Sequence, residues 1–313
     1  LLTQEEIAER VNYIGASDAA AALGLSRFKS VLTLWAEKTG QLTPEDISNK
    51  TSVKLGNKME DMVAELFTER TGLQVERIPM VTHPQYNFIR ARPDRKVVGE
   101  NWGVECKYIG VRKAKELEGE EIPQEFLIQC HHQNMVCGFD GTYLAYIIGN
   151  ETDDFKIVER DENINRQILF GERNLWENYI VPRIMPMTIG ANDAETLLAL
   201  FPNSEPLQSV ELNDEANRII EFRNAAVQDK YSLETQIKAY DNQIKALLGN
   251  AEKGESQAFK VVWKSQSRRG IDVELLKEQN PRIYNQYLRV TNSRKLNIMS
   301  KVIGQGVTEN ESE

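Results

Sequence analysis

The stretch 94–110, DRKVVGENWGVECKYIG, constrains the fold more than any other part of the chain. It reads as two strands joined at GENWG, an antiparallel hairpin. The second strand is apolar or small except around Glu105 and Lys107, two residues apart. Residues i and i+2 of a strand share a face, so this carboxylate and ammonium point one way and Cys106 the other. An interior strand tolerates such charges only when they are paired or bound to something. Folding at GENWG brings Asp94 beside Glu105. Two adjacent carboxylates repel unless a cation lies between them. Oxygen-only ligands select a hard cation, Mg²⁺ or Mn²⁺, and Lys107 beside them could handle an attacking water. The plain alternative is a cross-strand ion pair on the surface.

The neighbouring segments supply layers for this hairpin. SDAAAALG reads as a short helix with Ser17 as N-cap and Gly24 at its end; VLTLWAEKTG reads as a second, closed by Gly40. TSVKLGNKMEDMVAELFTERTG carries apolar residues at Leu55, Met59, Met62, Val63, Leu66 and Phe67, the 3.6 period of a long helix, and Gly72 stops it. Glu60 sits at the border of that stripe and is available as a third carboxylate. LQVERIPMV, YNFIRA and DRKVVG read as strands. A helix follows from Ile122 to Cys137 with Pro123 in its first turn, then the strands TYLAYIIG and DFKIVER and a helix over 162–179. The order implies an α/β (α+β) fold, a central mixed sheet flanked by helices.

The prolines at 182, 186, 202 and 206 mark a connecting stretch, giving a first domain over 1–185, a linker over 186–212 and an extension over 213–313. In the extension, positions 212, 216, 219, 223, 226, 230, 233, 237, 240, 244 and 247 step by four and three. All are apolar or aromatic except Arg223 and Lys230, a heptad seam on one helix or a helical hairpin. Its role, internal packing or an oligomer interface, stays open from sequence. A strand at SQAFKVVWKS, a helix at DVELLKEQ and a closing strand near RKLNIMS are expected after it. The net charge is −9, yet residues 256–301 hold ten Lys and Arg against three acids. A basic module on an acidic body is an asymmetry that a nucleic-acid or protein partner would explain. The three cysteines, Cys106, Cys130 and Cys137, lie in apolar settings and suggest reduced thiols in a cytoplasm. No run of 18 apolar residues spans a membrane, and His83, His131 and His132 make no zinc spacing; the last two read as helix-surface or packing residues.

RPD at 92–94 followed by ECK at 105–107 resembles the PD-(D/E)xK nuclease signature. Four longer blocks, IGASDAAAALGLSRFKSVLTLWAEKTG, LGNKMEDMVAELFTERTG, the RPD…ECK hairpin and EFLIQCHHQNMVCG, resemble the YqaJ viral recombinase family, relatives of phage lambda exonuclease, in the family's order. The resemblance covers residues 10–150, extends through FGERNLWENYIVP to about 182, and is less specific beyond 210. It implies that Asp94, Glu105 and the Cys106 carbonyl ligate Mg²⁺, with Mn²⁺ as a substitute. Lys107 would be the catalytic lysine, Glu60 would sit near a second metal or the water, and Gln129 would contact the water or the scissile phosphate. Arg10 and Ser17 match the pair that holds a 5′-terminal phosphate. Arg92 stands where lambda exonuclease has a serine, and an arginine can bind phosphate bidentately.

The implied activity is a metal-dependent 5′→3′ double-strand DNA exonuclease of a phage or prophage recombination system. It would leave 3′ overhangs for a single-strand annealing protein and work as a ring-shaped homo-oligomer, a trimer by family likeness. The rivals are an endonuclease on the same core and a non-catalytic DNA-binding or assembly protein.

Overall fold

The computed structural model of the protein describes residues 9–111, 122–289 and 294–299. The chain forms two compact units, Leu1–Pro202 and Asn203–Glu313. After a 3-10 turn at Arg10–Asn12, the first unit runs β1 Ile14–Gly15, α1 Ala16–Ala22, α2 Val31–Lys38 and α3 Thr51–Thr71. Then come β2 Val75–Glu76, β3 Val81–Thr82, β4 Ile89–Ala91, β5 Arg95–Val97 and β6 Trp102–Ile109. It closes with α4 Gln124–Cys137, β7 Gly141–Ile148, β8 Thr152–Glu159, α5 Glu162–Leu175, a π-helical turn Trp176–Ile180 and α6 Ala194–Leu200. No described helix is long and apolar enough to cross a membrane.

The hairpin forms as expected, with Arg95 opposite Val104 and Lys96 opposite Gly103. Continuing that register sets Asp94 opposite Glu105. The five-stranded sheet is ordered β2–β5–β6–β7–β8. It is mixed, because β6 and β7 are parallel along their whole length. A parallel pair needs a crossover, and α4 provides it. The segment 73–81, expected as one strand, instead holds β2 and the start of β3, which belong to different sheets. Pro79 lies between them and cannot donate to a ladder.

The two faces of the sheet differ in what they bury. On one face, Val63, Ala64 and Phe67 of α3 pack with Val97, Val104, Cys106, Ala145 and Ile147. On the other, Cys130 of α4 packs with Leu144 and Val158. Each large apolar side chain buried this way stabilises by about 1.5–3 kcal/mol. Strand alternation therefore sends Cys106 toward α3 and Glu105 toward α4. Gly72 ends α3 with φ 76°, a left-handed turn that a side chain would strain.

Two expectations need correction. Ser17 does not cap α1: Gly15 is the N-cap, extended and paired with Arg90 of β4, so the helix starts earlier and Ser17 lies in its first turn. The stretch 186–212 is not linker throughout. Asp193 and Thr196 are buried, Ser30 Oγ donates to Asp193, and the Thr33 and Thr196 hydroxyls are 2.8 Å apart. These bonds fasten the start of α6 to α2, so the first unit extends to Pro202. Proline breaks a helix locally but does not stop the next from forming and docking.

The second unit contains one unbroken 35-residue helix, α7 Asp214–Leu248, capped by Asn213. An antiparallel hairpin, β9 Lys253–Glu255 and β10 Lys260–Val262, follows, then α8 Val273–Gln279 and α9 Pro281–Tyr287. Residues 294–299 form no strand, against the expectation for that stretch, and residues 300–313 lie outside the described residues.

Candidate active site

Glu105 is 3% exposed, in the centre of β6. Three side-chain donors converge on it. Lys107 Nζ donates to Glu105 Oε1 at 2.6 Å and to Gln129 Oε1 at 3.0 Å. Gln129 Nε2 donates to the same Glu105 oxygen at 2.6 Å, and Gln133 Nε2 reaches the other oxygen, Oε2, at 2.6 Å. The Cys106 N–H donates to Asp94 Oδ2 at 2.8 Å. Gln133 was missed from sequence. Its signal was its position one helical turn after Gln129, which puts both on the face of α4 that covers Glu105.

The electrostatics follow from that packing. Burial, and then the charge of Glu105, push the Asp94 carboxyl up to about 8. Burial works against the Lys107 ammonium, but Glu105 and Asp94 outweigh it and hold its pKa above the usual lysine value. The buried Glu105 and the half-buried Asp94 face each other across the hairpin, and the oxygens and like charges of that pair are those a hard-cation site uses. A divalent cation therefore fits Asp94 and Glu105.

Glu60 lines the same cleft as Asp94, whose carboxyl its charge helps to raise. It stands on α3, on the far side of the sheet from Glu105. Arg95 points the same way, is 5% exposed, and donates from Nη1 to Glu60 Oε1 at 2.7 Å and from Nη2 to Asp61. Arg77 Nη1 lies 3.4 Å from the same Glu60 oxygen. Glu60 is thus paired with arginines. Among the described residues, no group of three or more His, Cys, Asp or Glu is arranged to hold a metal ion.

Arg10 and Ser17, seven residues apart, meet: Arg10 Nη2 donates to Ser17 Oγ at 2.9 Å. Beneath them lies Asp18, 2% exposed. It accepts from Lys38 Nζ at 2.8 Å, with Lys29 Nζ at 3.5 Å and Arg10 Nη2 at 3.9 Å. Burial opposes its charge, but these three cations hold its carboxyl down at about 2. Lys38 also donates to the Arg10 carbonyl at 2.7 Å, fixing the backbone that carries the guanidinium. The Tyr13 ring completes this wall, with the Arg90 guanidinium 4.9 Å from its centroid.

One cleft of about 260 Å³ joins the two groups. Arg10, Ser17 and Arg92 line it together with Glu60, Asp94 and Gln129, and Tyr13, Arg77 and Arg90 complete the rim. Behind it, His132 is fully buried rather than on the helix surface. Its Nδ1 lies 2.6 Å from Glu172 Oε1 and its Nε2 lies 3.0 Å from the Arg90 carbonyl. An ionised Glu172 and the Arg90 carbonyl both accept, and the doubly protonated imidazolium satisfies both. Burial disfavours that charge, but Glu172 prevails and raises the His132 pKa.

The mixed sheet between α3 and α4 has the fold of a solved alkaline exonuclease. The crystal structure of the alkaline exonuclease LHK-Exo from Laribacter hongkongensis superposes with a TM-score of 0.51 at 18% identity, over 58% of this chain and 94% of that one. Its complex with dAMP superposes equally, at 19% identity. The YqaJ-like viral recombinase domain matches residues 7–140. The uncharacterized protein YqaJ of Bacillus subtilis (strain 168) is 33% identical over 299 residues, 94% of this chain and 93% of its own length. The chain belongs to the YqaJ-like viral recombinase family.

Proposed function

We propose that the protein is a Mg²⁺-dependent 5′→3′ exonuclease acting on double-stranded DNA ends, with Mn²⁺ able to substitute. The observation that carries this reading is the shared cleft, where Arg10, Ser17 and Arg92 face the same space as Asp94 and Gln129. Arg10 and Ser17 hold the 5′-terminal phosphate, and Arg92 adds a planar donor fork to it. Holding the end phosphate there presents the next linkage to the carboxylate pair, which is what separates end-trimming from internal cutting.

Asp94 and Glu105 hold the cation, with the Cys106 carbonyl as a further oxygen. When bound, a divalent cation neutralises phosphodiester charge and supplies Lewis acidity for hydrolysis. Lys107 stays protonated beside Glu105 and acts as a fixed positive charge and hydrogen-bond donor toward the oxygens that gain charge. Gln129 accepts from Lys107 and donates to Glu105, so it fixes both groups and lines the cleft where the phosphate lies. Glu60, reached across Arg95, orients the rim or a second cation. Digestion leaves a 3′ single strand for an annealing protein, and a trimeric ring around the DNA keeps the enzyme on its track in the cytoplasm.

The test is digestion of linear duplexes with and without a 5′-phosphate, and of closed circles, in Mg²⁺, Mn²⁺ or Ca²⁺. The expected result is digestion of linear DNA only, favoured by the 5′-phosphate, supported by Mg²⁺ and Mn²⁺, and abolished by Lys107→Ala. Cutting of closed circles would make it an endonuclease. No cutting of any substrate would leave a DNA-binding or assembly role.

A further inference from the structure

α7 is long, exposed and patterned. None of its 35 residues is buried. Along its four-three seam, Ile219, Leu233 and Ile237 are each 57% exposed and Leu247 is 87% exposed. A solitary helix in water owes little to propensity; packing of an apolar stripe supplies most of its stability. A 3.5-residue repeat is complementary to another helix with the same repeat. The other helices of this unit, α8 and α9, have seven residues each and are too short to cover it. The long helix of the first unit, α3, spends its stripe on the five-stranded sheet.

We propose that α7 pairs antiparallel with α7 of a second copy of this chain, one that belongs to another ring, because three copies cannot pair off within one trimer. The charges on the seam set the direction. Ala216, Arg223, Lys230, Ile237 and Ile244 occupy the a positions, and Ile219, Ala226, Leu233, Tyr240 and Leu247 the d positions. A parallel in-register pair stacks a on a, which sets Arg223 against Arg223 and Lys230 against Lys230. An antiparallel pair stacks a on d and brings the e positions of both helices along the edge that carries the a residues. Glu234 and Asp241 are e positions.

With Lys230 opposite the partner's Leu233, Arg223 falls opposite the partner's Tyr240. The partner's Glu234 then lies beside Lys230, and the partner's Asp241 beside Arg223. The same register sets Ile244 opposite the partner's Ile219 and Ala216 opposite the partner's Leu247, so the whole seam is covered; the two Lys230 flank the dyad on one edge, each beside the partner's Glu234. Lys230 Nζ already lies 3.7 Å from Glu234 of its own helix, so this carboxylate is positioned on the edge that the pairing uses.

The experiment is disulfide trapping in the full chain under mild oxidation. Three variants are compared: Ile219→Cys, Ile244→Cys and the double variant. In the antiparallel pair, the two copies of position 219 stand about 38 Å apart along the axis, at 1.5 Å per residue. Position 219 meets only position 244. The expected result is a cross-linked dimer from the double variant and none from either single variant. Adding Ile237→Glu to the double variant, with helix content checked by circular dichroism, should abolish the cross-link. Cross-linking of the single variants would show a parallel pair and overturn the proposal. Absence of cross-linking in all three would overturn self-pairing and leave the seam to a different protein. A cross-link that survives Ile237→Glu would also overturn it.

Discussion

Replacing Asp18 with Asn removes the carboxylate that Lys38, Lys29 and Arg10 share beneath the cleft wall, and its cost follows from the geometry. The Asp18 carboxyl is held from 3.8 down to about 2. That depression corresponds to roughly 2 kcal/mol favouring the charged folded form. The Lys38 side chain is 5% exposed. Burial holds its pKa below the ordinary lysine value even with Asp18 present, so the ammonium gains less from the pair than the carboxylate does. Without the Asp18 charge, Lys38 keeps the Arg10 carbonyl and the face of the Tyr13 ring but no counter-charge, and a buried charge stripped of its partner costs about 3–5 kcal/mol. We therefore expect Asp18→Asn to lower unfolding free energy by about 3 kcal/mol or more at pH 7, measured by urea denaturation with near-ultraviolet circular dichroism. The Asp18 contribution is fully present above its unfolded pKa near 3.8 and is lost as pH falls toward 2, so the wild-type advantage should be flat from pH 5 to 8. The double variant Asp18→Leu with Lys38→Met should recover most of the loss, because an apolar pair leaves no buried charge. A loss under about 1 kcal/mol, or a double variant no more stable than the single, would refute the reasoning.

Two further outcomes follow from the same kind of accounting. Gln133→Leu removes the donor to Glu105 Oε2; since partners that orient a ligand typically matter 10–100-fold, the Mg²⁺ concentration needed for half-maximal digestion should rise by about that factor while the chain stays folded. Glu172→Gln removes the counter-charge of the His132 imidazolium and should cost about 3–5 kcal/mol at pH 6. The raised His132 pKa means that its stabilisation is complete below the unfolded value of about 6.5 and fades as pH rises through the folded value. The gap between wild type and variant in thermal unfolding should therefore narrow from pH 6 to pH 9, and a gap that widens would contradict the charged ring.

Much of the fold was legible because its signals are local. The hairpin at GENWG, the stripe of α3 and the glycine stops each rest on a period or a turn within one segment. The Asp94–Glu105 pairing was legible for the same reason, since a hairpin register is fixed by its own turn. The parallel pairing of β6 with β7 and the docking of 186–202 were less legible. Both depend on contacts between segments far apart in sequence, which a local pattern does not encode. Gln133 was hidden among the polar residues of QCHHQ, where several side chains could equally have faced solvent.

Glu60 shows most clearly where sequence reasoning stops. Its place beside the stripe of α3 correctly implied an inward-facing carboxylate, and it does line the cleft. What the stripe could not say is which face of the sheet α3 would cover. α3 lies against the face that carries Cys106, whereas Glu105 and Lys107 look toward α4. On the α3 side the nearest strand residue of opposite charge is Arg95, one position from Asp94 and therefore pointing the other way. The alternation that unites Glu105 with Lys107 is thus the same alternation that gives Glu60 to Arg95. Glu60 lines the cleft with Asp94 and adds its charge there, and Arg95 and Arg77 hold its carboxylate in place.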